Sequence, residues 1–127
     1  LVGTLTPVKG LRLQAVYNQY DNNYSDWSPD DREYDSTDPE DIPDIDQVWK
    51  APGYSKVDLH ASYALPVSGY DVSLFAHVFN ALDETYVQDA VDHSSYNSYG
   101  DKVHAAHNAE VFLGTPRYFN VGIAVSF

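Results

Sequence analysis

Cysteine and methionine are both absent from the 127 residues. Without a thiol there is no disulfide framework, no thiolate metal site and no cysteine nucleophile. Basic residues are scarce: seven Lys and Arg face nineteen Asp and Glu, giving a formal charge of −12 and a pI near 4.4. That balance excludes recognition of nucleic acid through its phosphate backbone. No run of eighteen apolar residues occurs, which excludes a transmembrane helix. There is no Gly-x-Ser-x-Gly elbow, no phosphate-cradling glycine loop and no carboxylate pair singled out by spacing, so the chain reads as a non-enzyme without a cofactor. It begins at Leu1 with no charged and apolar leader pattern, and reads as a fragment or a mature piece. A transmembrane strand is not excluded, because its signal is only about ten alternating residues.

Alternation is what the chain has. In "LRLQAVYNQY" (11–20), Leu11, Leu13, Ala15 and Tyr17 oppose Arg12, Gln14, Val16 and Asn18. In "SKVDLHASYAL" (55–65), Val57, Leu59, Ala61, Tyr63 and Leu65 oppose Lys56, Asp58, His60, Ser62 and Ala64. In "YDVSLFAHVFN" (70–80), Val72, Leu74, Ala76 and Val78 oppose Asp71, Ser73, Phe75, His77 and Phe79, a less polar second face; "PRYFNVGIAVSF" (116–127) follows the same period, and residues 1–5 make a partial strand. Period two marks strands with two unlike faces. Between them lie two long polar stretches. Residues 21–52 hold eleven of the nineteen acids and four prolines, and residues 81–116 are rich in Ser, Asn, Asp, Tyr and Gly. Both are expected to be irregular loops.

The strands 11–20, 55–65 and 70–80 are ten or eleven residues long, the length that crosses a bilayer when tilted by about 45°; ordinary sheet strands are about 5–6 residues. "TPVKG" (6–10) and "PVSG" (66–69) are tight turns. An up-and-down meander puts both turns at one end and both long loops at the other, the asymmetry of outer-membrane barrels. The expected fold is therefore all-β: an antiparallel up-and-down meander of about five strands in a transmembrane barrel. A soluble β-sandwich demands the same alternation, and a small outer-membrane protein that closes by oligomerising is a third possibility.

Two stretches also resemble a known family. "VFNALDETY" (78–86) resembles the Asn-Leu-Phe-Asp…Tyr signature near the end of TonB-dependent outer-membrane receptors, with Ala81–Leu82 where Leu-Phe is commoner. "GTPRYFNVGIAVSF" (114–127) resembles their last strand, ending on a terminal Phe. The resemblance implies a 22-strand barrel around a plug, in the outer membrane of a Gram-negative bacterium, with these strands as its C-terminal segment. It implies import of a scarce ligand such as a ferric siderophore, cobalamin or oligosaccharide, powered by the TonB complex through a plug domain these residues do not contain. Its implied partners are outer-membrane lipid, the small-molecule or oligosaccharide ligand, and the assembly machinery, which would read Ile123, Val125 and Phe127.

Other residues invite chemistry. His104 and His107, in "HAAH", would share a helix face and with His93 or Glu110 make a metal site. The acidic stretch 21–52 offers oxygens for calcium, although it lacks the EF-hand order. Calcium binding there would suit the alternative of a soluble acidic binding module. Tyr20, Tyr54 and Tyr118 are expected in an outer aromatic girdle. Tyr96 and Tyr99 are candidates for ligand contact.

Overall fold

A computed structural model describes residues 1–27, 46–92 and 104–126. Among them the chain is all-β and antiparallel. Its strands are β1 (Val2–Leu5), β2 (Leu11–Tyr20), β3 (Tyr54–Leu65), β4 (Asp71–Phe79), β5 (Val87–Asp92), β6 (Ala109–Leu113) and β7 (Tyr118–Ser126). The chain divides into two compact units: Leu1–Tyr20, Tyr54–Thr85 and Thr115–Phe127 form the first, and Asp21–Gly53 with Tyr86–Gly114 the second.

The first unit is a five-stranded sheet in the order β1-β2-β3-β4-β7. Its register keeps the alternation in phase across every pair. Leu13 lies opposite Ala61, Ala61 opposite Ala76, and Ala76 opposite Val121. Ala15, Leu59, Val78 and Phe119 form a parallel row, as do Tyr63, Leu74 and Ile123. One face is thus apolar on all five strands. Arg12, Gln14, Lys56, Asp58, His60, Ser73, His77 and Asn120 fall on the other parity. A one-residue slip anywhere would exchange the two sets.

Both turns anticipated from the sequence close the sheet at one end. Gly10 sits at φ +86°, where a side chain is disfavoured. A Cβ there would also lie 2.8 Å from the Ala64 carbonyl oxygen, while the Gly10 oxygen accepts the Ala64 N–H at 2.9 Å. Gly69 takes φ +84° in the β3–β4 turn with open space around it. The chain leaves β2 and β4 for its two long excursions at the opposite end.

The apolar face has no cover within its unit. Phe119, Val121 and Ile123 are 69, 77 and 60 % exposed, and Leu5, Leu13, Leu59, Leu74 and Val125 are exposed as well. A depression of about 590 Å³, lined chiefly by Leu5, Leu13, Ala15, Leu59, Ala76 and Val78, opens there. Full burial of one such side chain stabilises by about 1.5–3 kcal/mol. Eight of them forgo on the order of 10 kcal/mol, comparable to the whole stability of an ordinary domain.

The buried apolar side chains among the described residues, Val48, Ala51, Tyr86 and Ala90, all belong to the second unit. There β5 and β6 pair as a two-stranded ribbon, with a register shift between Val87 and Asp89. Tyr86 lies over Gly114, where a Cβ would meet its ring at 1.9 Å, and the Gly114 N–H donates to the Tyr86 oxygen at 2.9 Å. The ribbon corrects the expectation that 81–116 is irregular throughout. "VQDAVD" and "AEVFL" are strands of ordinary length, whose brief alternation is diluted by the polar residues between them.

The two ends of the acidic stretch also pair. Ser25 donates to the Trp49 oxygen at 2.9 Å, Ala51 to the Asn23 oxygen at 2.8 Å, and Asp26 to the Ala90 oxygen at 2.7 Å. Lys50 Nζ donates to Asn22 Oδ1 at 2.8 Å and lies 3.3 Å from Asp21 Oδ1. The Asn22 backbone N–H, and after it Lys50, hold the exposed Asp21 carboxyl below the usual carboxylate range. Residues 28–45, which carry most of the acids proposed for calcium, lie outside the described residues.

Candidate functional site

The polar face of the five-stranded sheet gathers the aromatic and titratable side chains. Where β2 and β3 meet the first excursion, Tyr20 and Tyr54 are register partners and stack at 4.7 Å between ring centroids, 20° apart. Where β4 and β7 meet the second, Phe79 and Tyr118 are partners and stack at 4.6 Å and 14°. Each long-loop exit thus carries an offset aromatic pair, worth about 0.5–1.5 kcal/mol beyond its buried area.

Between those exits and the turn end, His60 and His77 are direct cross-strand partners with their Nδ1 atoms 2.8 Å apart. The ring centroid of Phe79 lies 5.6 Å from that of His60, edge to face, and 5.9 Å from that of His77, and the Phe75 centroid lies 5.4 Å from that of His77. Phe75 in turn covers Gly122, where a Cβ would come within 2.3 Å of its ring. Glycine at that position lets a phenylalanine lie flat on the polar face. Arg12, Gln14, Ser62 and both histidines line an open concavity of about 330 Å³.

This face corrects the expectation for three tyrosines. Tyr20, Tyr54 and Tyr118 are in phase with Arg12, Lys56 and Asn120, so they belong to the polar face and not to an outward girdle. Aromatic residues on the apolar face are Tyr17 and Phe119 toward the loop end and Tyr63 toward the turn end. Loop proximity suggested the girdle, whereas parity decides the face.

The exit from β4 is held by a compact polar cluster. Asn80 is buried and takes φ +49°. Its backbone N–H donates to Asp58 Oδ1 at 2.9 Å, and its Nδ2 donates to the oxygens of Glu84 at 2.8 Å and Thr115 at 3.2 Å. Its Oδ1 accepts the Glu84 N–H at 3.0 Å. Asp83, also left-handed at φ +57°, accepts the Arg117 N–H at 2.9 Å, with the Arg117 guanidinium 3.9 Å away. The two segments that resemble the receptor family are therefore bonded to each other.

The proposed metal ligands are not brought together among the described residues. His104 is nearly completely buried, with its Nδ1 hydrogen-bonded to the equally buried Asp92 carboxylate. Ala105 is extended, and the 3-10 turn Ala106–Asn108 begins only after it. His104 and His107 therefore do not share a helix face, and His107 stays exposed. Glu110 lies in β6 opposite Val91, and no group of three ligand-type side chains forms among the described residues. His93, Tyr96, Tyr99 and Phe127 lie outside the described residues. Ile123 and Val125 lie in β7 on the apolar face.

Sequence reasoning placed His60 and His77 on the polar parity without pairing them. Their meeting depends on the β3–β4 register, which the four-residue turn "PVSG" constrains but does not spell out. No protein-family model, curated protein or solved structure matches the chain.

Proposed function

We propose that these residues form the C-terminal wall of a TonB-dependent receptor barrel in the outer membrane of a Gram-negative bacterium. The carrying observation is the apolar face: in register on five strands, uncovered in its unit, and bounded by two short turns at one end. Lipid is the solvent that such a face suits. The twelve residues of β3, at about 3.3 Å each and a tilt near 40°, rise roughly 30 Å, the thickness of a hydrocarbon core. No helix among the described residues is long and apolar enough to cross a membrane, which leaves the strands as the elements to do so.

On this reading the polar face lines the lumen, and the aromatic pairs at the loop exits face the ligand's path. Five strands enclose nothing, since about eight are needed to surround even packed side chains, so the remaining wall and the plug that engages TonB belong to other parts of the protein. The bonded pair of motif segments supports the resemblance, because it gives Asn80, Asp83 and Arg117 a common task. The ligand class is an iron chelate, cobalamin or an oligosaccharide, imported and not transformed. Ile123, Val125 and Phe127 of the C-terminal stretch would be read by the assembly machinery.

The test is to refold residues 1–127 with and without detergent micelles, following β-sheet circular dichroism and light scattering. The reading expects aggregation in buffer and sheet only in micelles. A soluble monomer that unfolds cooperatively in buffer would overturn it in favour of an acidic binding module.

A further inference from the structure

We propose that His60 and His77 form a binding site for one nitrogen-preferring divalent transition-metal ion, of the copper(II) or nickel(II) type. The two Nδ1 atoms stand 2.8 Å apart on directly opposed residues of β3 and β4. Two imidazole nitrogens each about 2.0–2.1 Å from one ion and at right angles about it are roughly 2.9 Å from each other. A tetrahedral ion would need them roughly 3.3 Å apart. The existing separation thus matches a cis pair in a square or octahedral field, once the proton that one Nδ1 donates to the other has moved to that ring's Nε2 and each ring has turned to aim its lone pair off the Nδ1–Nδ1 line. Tetragonal nitrogen coordination is the preference of copper(II) and nickel(II).

The surroundings favour the same class. Phe75 and Phe79 lie beside the imidazoles, with ring centroids 5.4 to 5.9 Å away, and flank the pair with apolar surface. The concavity in front is open and roomy enough for water to fill the remaining positions. Arg12 lines that concavity; its positive charge opposes ions held by charge alone, such as magnesium or calcium, which take oxygen ligands. An ion bound through imidazole nitrogen gains from ligand type what it loses to that charge. No third protein ligand joins the pair among the described residues, so the site offers two nitrogens and exchangeable water. The site does not depend on what covers the apolar face, and it stands or falls apart from the receptor reading.

The test titrates copper(II) into the full chain folded in detergent micelles, or in buffer if it proves soluble there, with electron paramagnetic resonance as readout. The expected result is a 1:1 signal split by two nitrogens. H60Q and H77Q should each weaken it at least as much as loss of a metal's supporting partner does, about 10–100-fold. H107Q, in an exposed loop histidine, should leave it unchanged. Because either substitution at the pair can disturb folding, a nitroxide at Asn120→Cys, the register partner of His77, provides a second reading with both histidines intact. One equivalent of copper(II) should broaden that nitroxide strongly. Binding that survives in both H60Q and H77Q, a nitroxide that copper leaves unaffected, or no binding at all would overturn the site and leave a hydrogen-bonded histidine pair only.

Discussion

Asn80 orders the exit from β4, because one buried side chain bonds three backbone groups while its own backbone is left-handed. Removing it gives up three part-buried hydrogen bonds, each worth about 0.5–1.5 kcal/mol net. N80A is therefore expected to lower stability by about 2–4 kcal/mol. N80G should cost less than N80A, since glycine accepts the positive φ even without the bonds. Denaturant melts of both variants in micelles check the order, and equal stability of N80A and the unsubstituted chain would remove Asn80 from the account. The sequence displayed "FNALDETY" and "GTPRYF" as recognisable patterns, but not that one bonds the other. Thr115 lies 35 residues from Asn80, and nothing local marks that contact.

The strands were legible because lipid and a soluble core both impose period two, and that period runs clean through β2, β3, β4 and β7. Their predicted limits agree with the structure to within one or two residues. The ribbon of β5 and β6 was not legible, because two short strands around a polar insertion carry too few alternating positions. Register was also hidden, and with it the histidine pair and the aromatic stacks. The turns can be graded physically. Gly10 and Gly69 share a positive φ, but only Gly10 has a backbone oxygen where a Cβ would go. G69A should cost about 1 kcal/mol through the dihedral alone, and G10A about 2–3 kcal/mol with the added clash. Thermal melts that place G69A at or below G10A in stability would contradict this difference.

At the scale of the whole molecule, the account turns on one face. Eight exposed apolar side chains share it, and soluble monomers seldom leave an apolar patch of more than a few hundred Å² uncovered, which is the ground for proposing lipid against it. The second unit, by contrast, buries a small core of its own in Val48, Ala51, Tyr86 and Ala90. The absence of cysteine gives a clean background for locating that environment. Single cysteines placed in turn at residues 119, 120, 121, 123, 124 and 125 of β7, leaving Gly122 beneath the Phe75 ring untouched, spin-labelled in the full chain reconstituted into lipid bilayers, report collisions with oxygen, which concentrates in lipid, and with a water-soluble nickel chelate. The account predicts a period of two, with labels at Phe119, Val121, Ile123 and Val125 accessible to oxygen and shielded from the chelate, and labels at Asn120 and Ala124 the reverse. Labels on the apolar parity that meet the chelate freely, or that meet neither reagent because protein packs over them, would contradict a lipid-facing wall.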